Sequence, residues 1–226
     1  MCKAPQSGAT KSRLAASIGA DAAAQLSSCF LRDVAAAIEA VPESMGRVGY
    51  GVYAPAGAEV ILGRLFPASF GLVLQADTDL GNVLFGATAE LLNTPHDCVI
   101  LVNGDSPTLP TRLLIQAIET LRRPGDRMVL GPAADGGYYL IGLKRPHRAV
   151  FADISWGTAS VARTTLQRAQ GMALESALLP EWYDVDDAES YGCLRDELAG
   201  RPSRFQGGGP AAATRAFLAT PPETIR

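Results

Sequence analysis

The sequence predicts an α/β domain, and three observations carry that prediction. Short β-rich apolar runs such as Val99–Val102 alternate with longer stretches whose apolar residues recur at helical spacing. Turns rich in Gly, Pro and Asp separate the two kinds of segment. The chain has 226 residues and is 47% hydrophobic, enough to bury one full core and close to the length of a single domain.

The opening loop, M-C-K-A-P-Q-S-G-A-T-K-S-R-L, has no strand ahead of it. Gly8 permits close backbone approach, and Lys3, Lys11 and Arg13 are suited to surround a polyphosphate. A solvated basic terminus accounts for the same residues. Only one other lysine, Lys144, occurs in the chain. Thr10 and Pro5 stand where a Walker loop carries glycine, so this is not that motif.

Asp21 is read as the cap of the next helix, in which Leu26, Phe30, Val34, Ile38 and Val41 fall at helical spacing. Strand 47–54, short helix 58–66 and strand 70–75, ending at Gln75, follow. The turn Ala76-Asp77-Thr78-Asp79 enters a helix over 80–93 with Leu80, Leu84, Ala87 and Leu91 on its buried face.

Val99–Val102 has the composition of a strand covered on both faces. Asp105 stands at its carboxyl end, where open α/β sheets bind ligands, so it either handles a metal or phosphate or caps the helix that Ser106-Pro107 begins. A helix over 109–121 and a strand over 127–130 come next, closed by Gly131-Pro132. The turn Asp135-Gly136-Gly137 then leads into the apolar strand Tyr138–Leu143, an antiparallel or mixed addition to the sheet.

Trp156, in the irregular segment 151–158, is assigned to the core, and a helix is expected over 159–170. Asp184 and Asp186 flank Val185 and lie on one side of an extended segment. They either share a cation or cap the helix expected over 187–198. The segment 200–210 reads as a linker and 211–218 as a last helical turn or two, so the expected domain is 1–199, with 200–226 as linker and short C-terminal helical extension.

A net charge of -3 and a pI near 5.4 exclude an electrostatic case for nucleic acid or anionic membrane as partner. Cys2, Cys29, Cys98 and Cys193 have neither metal nor disulfide-framework spacing, and His96 and His147 fit no metal pattern. With no long apolar span and no signal-peptide core, a cytoplasmic location is expected.

The ordered motifs Lys3-Ala4-Pro5 with Gly8, Lys11, Arg13 and Leu14, then Asp79-Leu80-Gly81, Asp105-Ser106-Pro107-Thr108-Leu109-Pro110, Gly131-Pro132 with Asp135-Gly136-Gly137-Tyr138-Tyr139-Leu140, Trp156-Gly157-Thr158 and Tyr183-Asp184-Val185-Asp186 run through almost the whole chain. Together they resemble the DUF2064 group of GT-A-type, glycosyltransferase-like proteins, related in fold to nucleotidyltransferases such as the molybdenum-cofactor and phospholactate guanylyltransferases. The resemblance implies a three-layer sandwich with a mostly parallel sheet. It also implies that the opening loop, with Lys3, Gly8, Lys11 and Arg13, and the later Gln75 and Gly81 hold a nucleotide donor. Asp105, joined by Asp184 or Asp186, would bind Mg2+ or Mn2+. Two departures stand out. Val83 occupies a place where members usually carry Arg, and the strand that members carry before the loop is missing here, so that either the protein starts upstream of Met1 or the fold closes the gap another way.

The function expected is metal-dependent transfer from a nucleotide-activated donor to a small acceptor, first as glycosyl transfer from a nucleotide sugar. Lys11 would neutralise diphosphate charge and Asp135 would act as base toward the acceptor. Nucleotidyl transfer from an NTP to a phosphorylated acceptor, or nucleotide binding without catalysis, are the alternatives.

Overall fold

The computed structural model describes residues 1–219; the part of the expected C-terminal extension over 220–226 lies outside the described residues. The elements are β1 (Cys2–Lys3), α1 (Ser12–Ile18), α2 (Ala20–Glu39), β2 (Tyr50–Ala54), α3 (Glu59–Leu62), β3 (Gly71–Leu74), α4 (Leu80–Leu92), β4 (Val99–Val102), α5 (Thr111–Leu121), β5 (Arg127–Pro132), β6 (Tyr138–Leu143), α6 (Val161–Gly171), β7 (Glu175–Leu178), α7 (Ala188–Leu198) and α8 (Ala212–Ala219). Single 3-10 turns lie at Glu43–Met45 and Arg148–Phe151.

The strands form two sheets, ordered β1-β2-β3 and β4-β6-β5-β7. The first is parallel throughout. In the second, β6 runs antiparallel to both β4 and β5, while β5 and β7 are parallel. The Asp135-Gly136-Gly137 turn therefore closes a β5–β6 hairpin, with the Ala133 N–H and O of Gly137 2.9 Å apart in N···O distance.

Apolar side chains leave the strands on both faces, which makes three layers. Val102, Val129 and Tyr139 meet Phe30 of α2, Leu113 of α5 and Leu194 of α7 on one side. Val99, Leu101, Met128 and Ile141 meet Leu84 of α4 and Ala169 of α6 on the other. Buried leucines and aromatics of this kind each stabilise by about 1.5–3 kcal/mol relative to exposure.

The first strand is present, which corrects the sequence reading of a sheet without it. Cys2 and Lys3 pair with Tyr53 and Ala54 of β2, and the Met1 amino group donates to O of Val102 at 2.7 Å. Two residues are too few to produce a hydrophobic period, so only tertiary pairing reveals them. Because β1 is so short, the two sheets meet only at the carboxyl ends of β2 and β4. Below that contact lies a cavity of about 290 Å³ between Tyr50 and Val52 on one side and Ile100 and Val102 on the other, floored by Leu31, Val34 and Ile38 of α2.

Other local readings change. Asp21 is not a cap: Gly19 precedes α2, and Asp21 in its first turn accepts from the Ser7 hydroxyl. Asp105 caps nothing either, since α5 starts after Pro110 without a side-chain cap. The cap of α7 is Asp187, in a reciprocal box with Ser190, which leaves Asp184 and Asp186 free of that role. The basic opening segment contains α1, and β7 was not legible because its side chains are mostly exposed and carry no apolar alternation.

Candidate active site

The carboxyl ends of β1 and β4 bring three distant segments together. After β1 the chain turns tightly, with the N–H groups of Ala9 and Thr10 both bonded to O of Gln6 and the Thr10 hydroxyl accepting from the Gln6 N–H. Lys11 follows in left-handed backbone (φ 55°, ψ 48°), a conformation that residues other than glycine seldom adopt. Leu14, fully buried, anchors α1 behind it. Asp105 follows β4, and its carbonyl accepts the Val185 N–H at 2.9 Å, so β4 fixes the segment that carries Asp184 and Asp186. That segment is held from the other side too, by Trp182 N–H to O of Pro132 and Ala134 N–H to O of Trp182.

Lys11 is the centre of the cluster. Its Nζ lies 2.8 Å from Asp105 Oδ1, 2.6 Å from Asp186 Oδ1 and 2.8 Å from O of Val185. The Lys11 side chain is 5% exposed, while those of Asp105 and Asp186 are 39% and 33% exposed. Burial alone would lower the Lys11 pKa, but the two carboxylates outweigh it and hold the ammonium above its usual value. Arg13 reaches Asp186 Oδ2 at 2.9 Å from the exposed side.

Asp184 sits behind this pair. Burial, then the charges of Asp135, Asp186 and Asp105, push its pKa up to about 7. Asp135 is exposed at the hairpin turn, where its Oδ1 accepts the Gly137 N–H at 2.8 Å. Gly136 cannot be replaced there: its φ is +89°, and a Cβ would lie 2.3 Å from O of Ala159.

A cleft of about 480 Å³ opens beside the cluster, and Lys3, Lys11, Arg13, Gln75, Asp105 and Asp186 all line it. Gln75 is tied down, its Nε2 donating to O of Val52 at 2.9 Å and O of Cys2 at 3.2 Å. Gly8 lies in the exposed loop just before the lining residues Ala9 and Thr10. Gly81 is not on the cleft wall. It is buried where α4 packs on the 3-10 turn, and a Cβ would lie 2.5 Å from O of Phe151, so packing explains this glycine. Asp135 and Asp184 also lie off the wall, though the charges of Asp135, Asp186 and Asp105 all act on Asp184. The cavity between the sheets touches none of the four aspartates, though it shares Met1, Cys2, Leu31, Asn103 and Gly104 with the cleft wall.

Two wall residues escaped sequence reasoning. Ser27, buried on α2, faces the cleft through tertiary packing and has no sequence signal. Asn103 lines both cavities, and its buried Oδ1 has no hydrogen-bond partner. Its place just past β4, in the run Asn103-Gly104-Asp105, is the signal that pointed only to Asp105.

Among the described residues, no group of three or more His, Cys, Asp or Glu side chains converges as a metal cage. Asp105 and Asp186 nonetheless present hard oxygens from two segments to one point, now held by the Lys11 ammonium. One or two carboxylates completed by substrate phosphates and water is the donor set that Mg2+ prefers, so the residues fit such an ion once Lys11 withdraws.

Residues 49–158 match the model of a family described as "Uncharacterized protein conserved in bacteria (DUF2064)". No curated protein matches the chain. Among solved structures, one from Desulfovibrio desulfuricans G20, named as a candidate nucleotide-diphospho-sugar transferase, is 29% identical with a TM-score of 0.81, covering 96% of this chain and 90% of its own. A CMP:2-keto-3-deoxy-manno-octonic acid synthetase complexed with CTP is 12% identical with a TM-score of 0.54, covering 76% of this chain and 88% of its own. A cytidylyltransferase from Leptospira borgpetersenii is 10% identical with a TM-score of 0.50, covering 84% of this chain and 81% of its own. The last two are alike in fold alone. Over residues 49–158 the chain is thus similar to the DUF2064 family, and it has a single-domain α/β fold like that of the nucleotide-diphospho-sugar transferase candidate.

Proposed function

We propose that the protein is a transferase that moves a glycosyl group from a nucleotide-diphosphate donor to a small acceptor, with Mg2+ or Mn2+ bound alongside the donor. The observation that supports this reading most directly is the convergence of Lys11, Asp105 and Asp186 at the strand ends, on the wall of a cleft. The 29% identical relative, named for nucleotide-diphospho-sugar transfer, supports the donor class.

In this reading the loop from Lys3 through Gly8 to Arg13 receives the diphosphate, its cations offsetting the negative charge. Asp105 and Asp186, with Asp184 behind them, hold the metal ion. When bound, that ion neutralises charge building on the leaving diphosphate. Gln75 keeps the loop's start in register by bonding the backbone of β1 and β2. Asp135, exposed and carrying one oxygen beyond its turn bond, takes the proton of the acceptor hydroxyl.

The test is a thermal-shift panel of nucleoside diphosphates, triphosphates and nucleotide sugars, with and without Mn2+. A ligand at 100 times its Kd stabilises by about 2.7 kcal/mol, which is read easily as a shift in Tm. A nucleotide sugar should shift Tm only with metal, and Asp105→Ala should lose that shift while keeping the fold. No shift with any nucleotide would overturn the reading. A shift confined to nucleoside triphosphates would favour nucleotidyl transfer.

A further inference from the structure

We infer that Lys11 is a built-in cation that fills the divalent-metal position of the free protein, so that metal binds only together with a polyphosphate that accepts the Lys11 ammonium in exchange. The inference rests on the reading of Asp105 and Asp186 as metal ligands.

An ammonium has three N–H donors and no acceptor. At Lys11 all three have partners at hydrogen-bonding distance: Asp105, Asp186 and O of Val185. A lysine waiting for phosphate would leave donors to solvent, whereas this one is satisfied and almost fully buried. It makes the contacts of a counter-ion to the acid pair.

The same pair cannot serve two cations at once. A magnesium ion approaches carboxylate oxygens to about 2.0–2.1 Å. Placed between Asp105 Oδ1 and Asp186 Oδ1, it would lie within contact distance of Nζ, and two unscreened cations that close repel strongly. The exchange is nevertheless cheap in covalent terms, because a lysine stem has four rotatable carbons and swings without moving its backbone. What it lacks in the free protein is another anion to receive it. The neighbouring cleft, which Lys3 and Arg13 line beside Lys11, is where diphosphate oxygens would supply one.

Without Lys11 the cluster would hold Asp105, Asp184, Asp186 and nearby Asp135 against one another, with Arg13 left as the cation bonded to Asp186. Such a site is attractive to any divalent ion. The lysine thereby restricts loading to the metal that arrives with substrate.

Mn2+ binding, followed by loss of the free-ion electron paramagnetic resonance signal, tests this without any turnover. In the absence of nucleotide the parent should bind Mn2+ only weakly, at millimolar concentrations. Lys11→Met, which keeps length and removes charge, should bind at least about 10-fold more tightly, and Asp105→Ala in the same background should abolish the gain. Lys11→Arg should stay weak. Tight Mn2+ binding by the parent alone overturns the inference, and that measurement holds even if Lys11→Met does not fold. Unchanged affinity in a folded Lys11→Met overturns it as well. If the parent still shows a metal-dependent nucleotide shift in that case, the transferase reading stands. A gain in Lys11→Met with no nucleotide shift in the parent would instead sink the transferase reading and keep the role of Lys11.

Discussion

Asp33 of α2 accepts the backbone N–H of Thr214 at 2.9 Å, and that of Ala213 at 2.8 Å, so a buried carboxylate caps a helix some 180 residues further along the chain. The first turn of α8 has N–H groups with no partner inside the helix, and Asp33 satisfies two of them. Phe205 adds a second tie, its ring 4.7 Å from that of Tyr183. Residues 200–219, read from sequence as linker and extension, are thereby fastened to the core. Asp33→Ala should lower stability by about 1–2 kcal/mol, the usual worth of a cap, or a fall of several degrees in Tm. A Tm unchanged within error would show that α8 contributes nothing to the cooperative unit.

The raised pKa of Asp184 predicts an unusual pH dependence of stability. Its folded value is about 7 against an ordinary 3.8, so between those values the folded chain holds a proton that the unfolded chain releases. Stability therefore falls as pH rises from about 4 to about 7 and levels off above. Asp184→Asn removes the charge and should raise Tm at pH 8, by an amount that shrinks as pH drops toward 4. At about 1.4 kcal/mol per pH unit the gain is at most roughly 4 kcal/mol. Tm measured across pH in metal-free buffer reads it, and a gain that is the same at every pH would contradict the assignment.

The cavity between the sheets predicts a route to greater stability. Its walls are the strand edges on either side of the line that β1 begins, and it holds about 290 Å³. Cys2 and Lys3 pair with β2 while the Met1 amino group bonds O of Val102 in β4, so a single strand spans the two edges at the top of the slot. An engineered extension of three or four apolar residues ahead of Met1 would continue β1 past Gly51 and Tyr50. It would pair backbone groups on both edges at about 1 kcal/mol each and cover apolar wall. Tm should rise by about 5 °C or more. No change would mean that the edges are already satisfied.

How much of this was legible beforehand follows from where each signal resides. The strand Val99–Val102 and the helix that supplies Leu113 and Leu121 could be read because their burial is written in local periods. Asp105 could be placed at a strand end because it follows that run directly, while its local sequence left ligand handling and helix capping both open. Lys11 was visible as an unusual lysine, yet its partners lie 94 and 175 positions away, and no local pattern encodes that contact. β1 and β7 failed for related reasons: one is two residues long, the other exposes most of its side chains. Gly81 was read toward the nucleotide, whereas the contact that requires glycine is with Phe151, on a turn 70 positions later.

The last prediction separates glycosyl from nucleotidyl transfer through Asp135. Inverting glycosyl transfer to a hydroxyl needs a base for the acceptor proton, while a phosphate acceptor is already an anionic nucleophile. Asp135 is exposed, and its hairpin turn uses only Oδ1, bonded to the Gly137 N–H. Its other oxygen remains to take a proton. In Asp135→Asn the amide oxygen can keep the Gly137 bond, so the turn survives and only the charge and basicity go. Donor affinity, measured by thermal shift with Mn2+, should stay the same while turnover falls by about 100-fold or more, the common scale of general-base catalysis. The variant also removes a negative charge facing Asp184, whose pKa should then move down from about 7, a change that NMR titration of the carboxyl carbons would detect independently of turnover. Near-full turnover would favour nucleotidyl transfer or a retaining mechanism. Lost donor binding would instead place Asp135 with the carboxylates proposed to hold the metal ion.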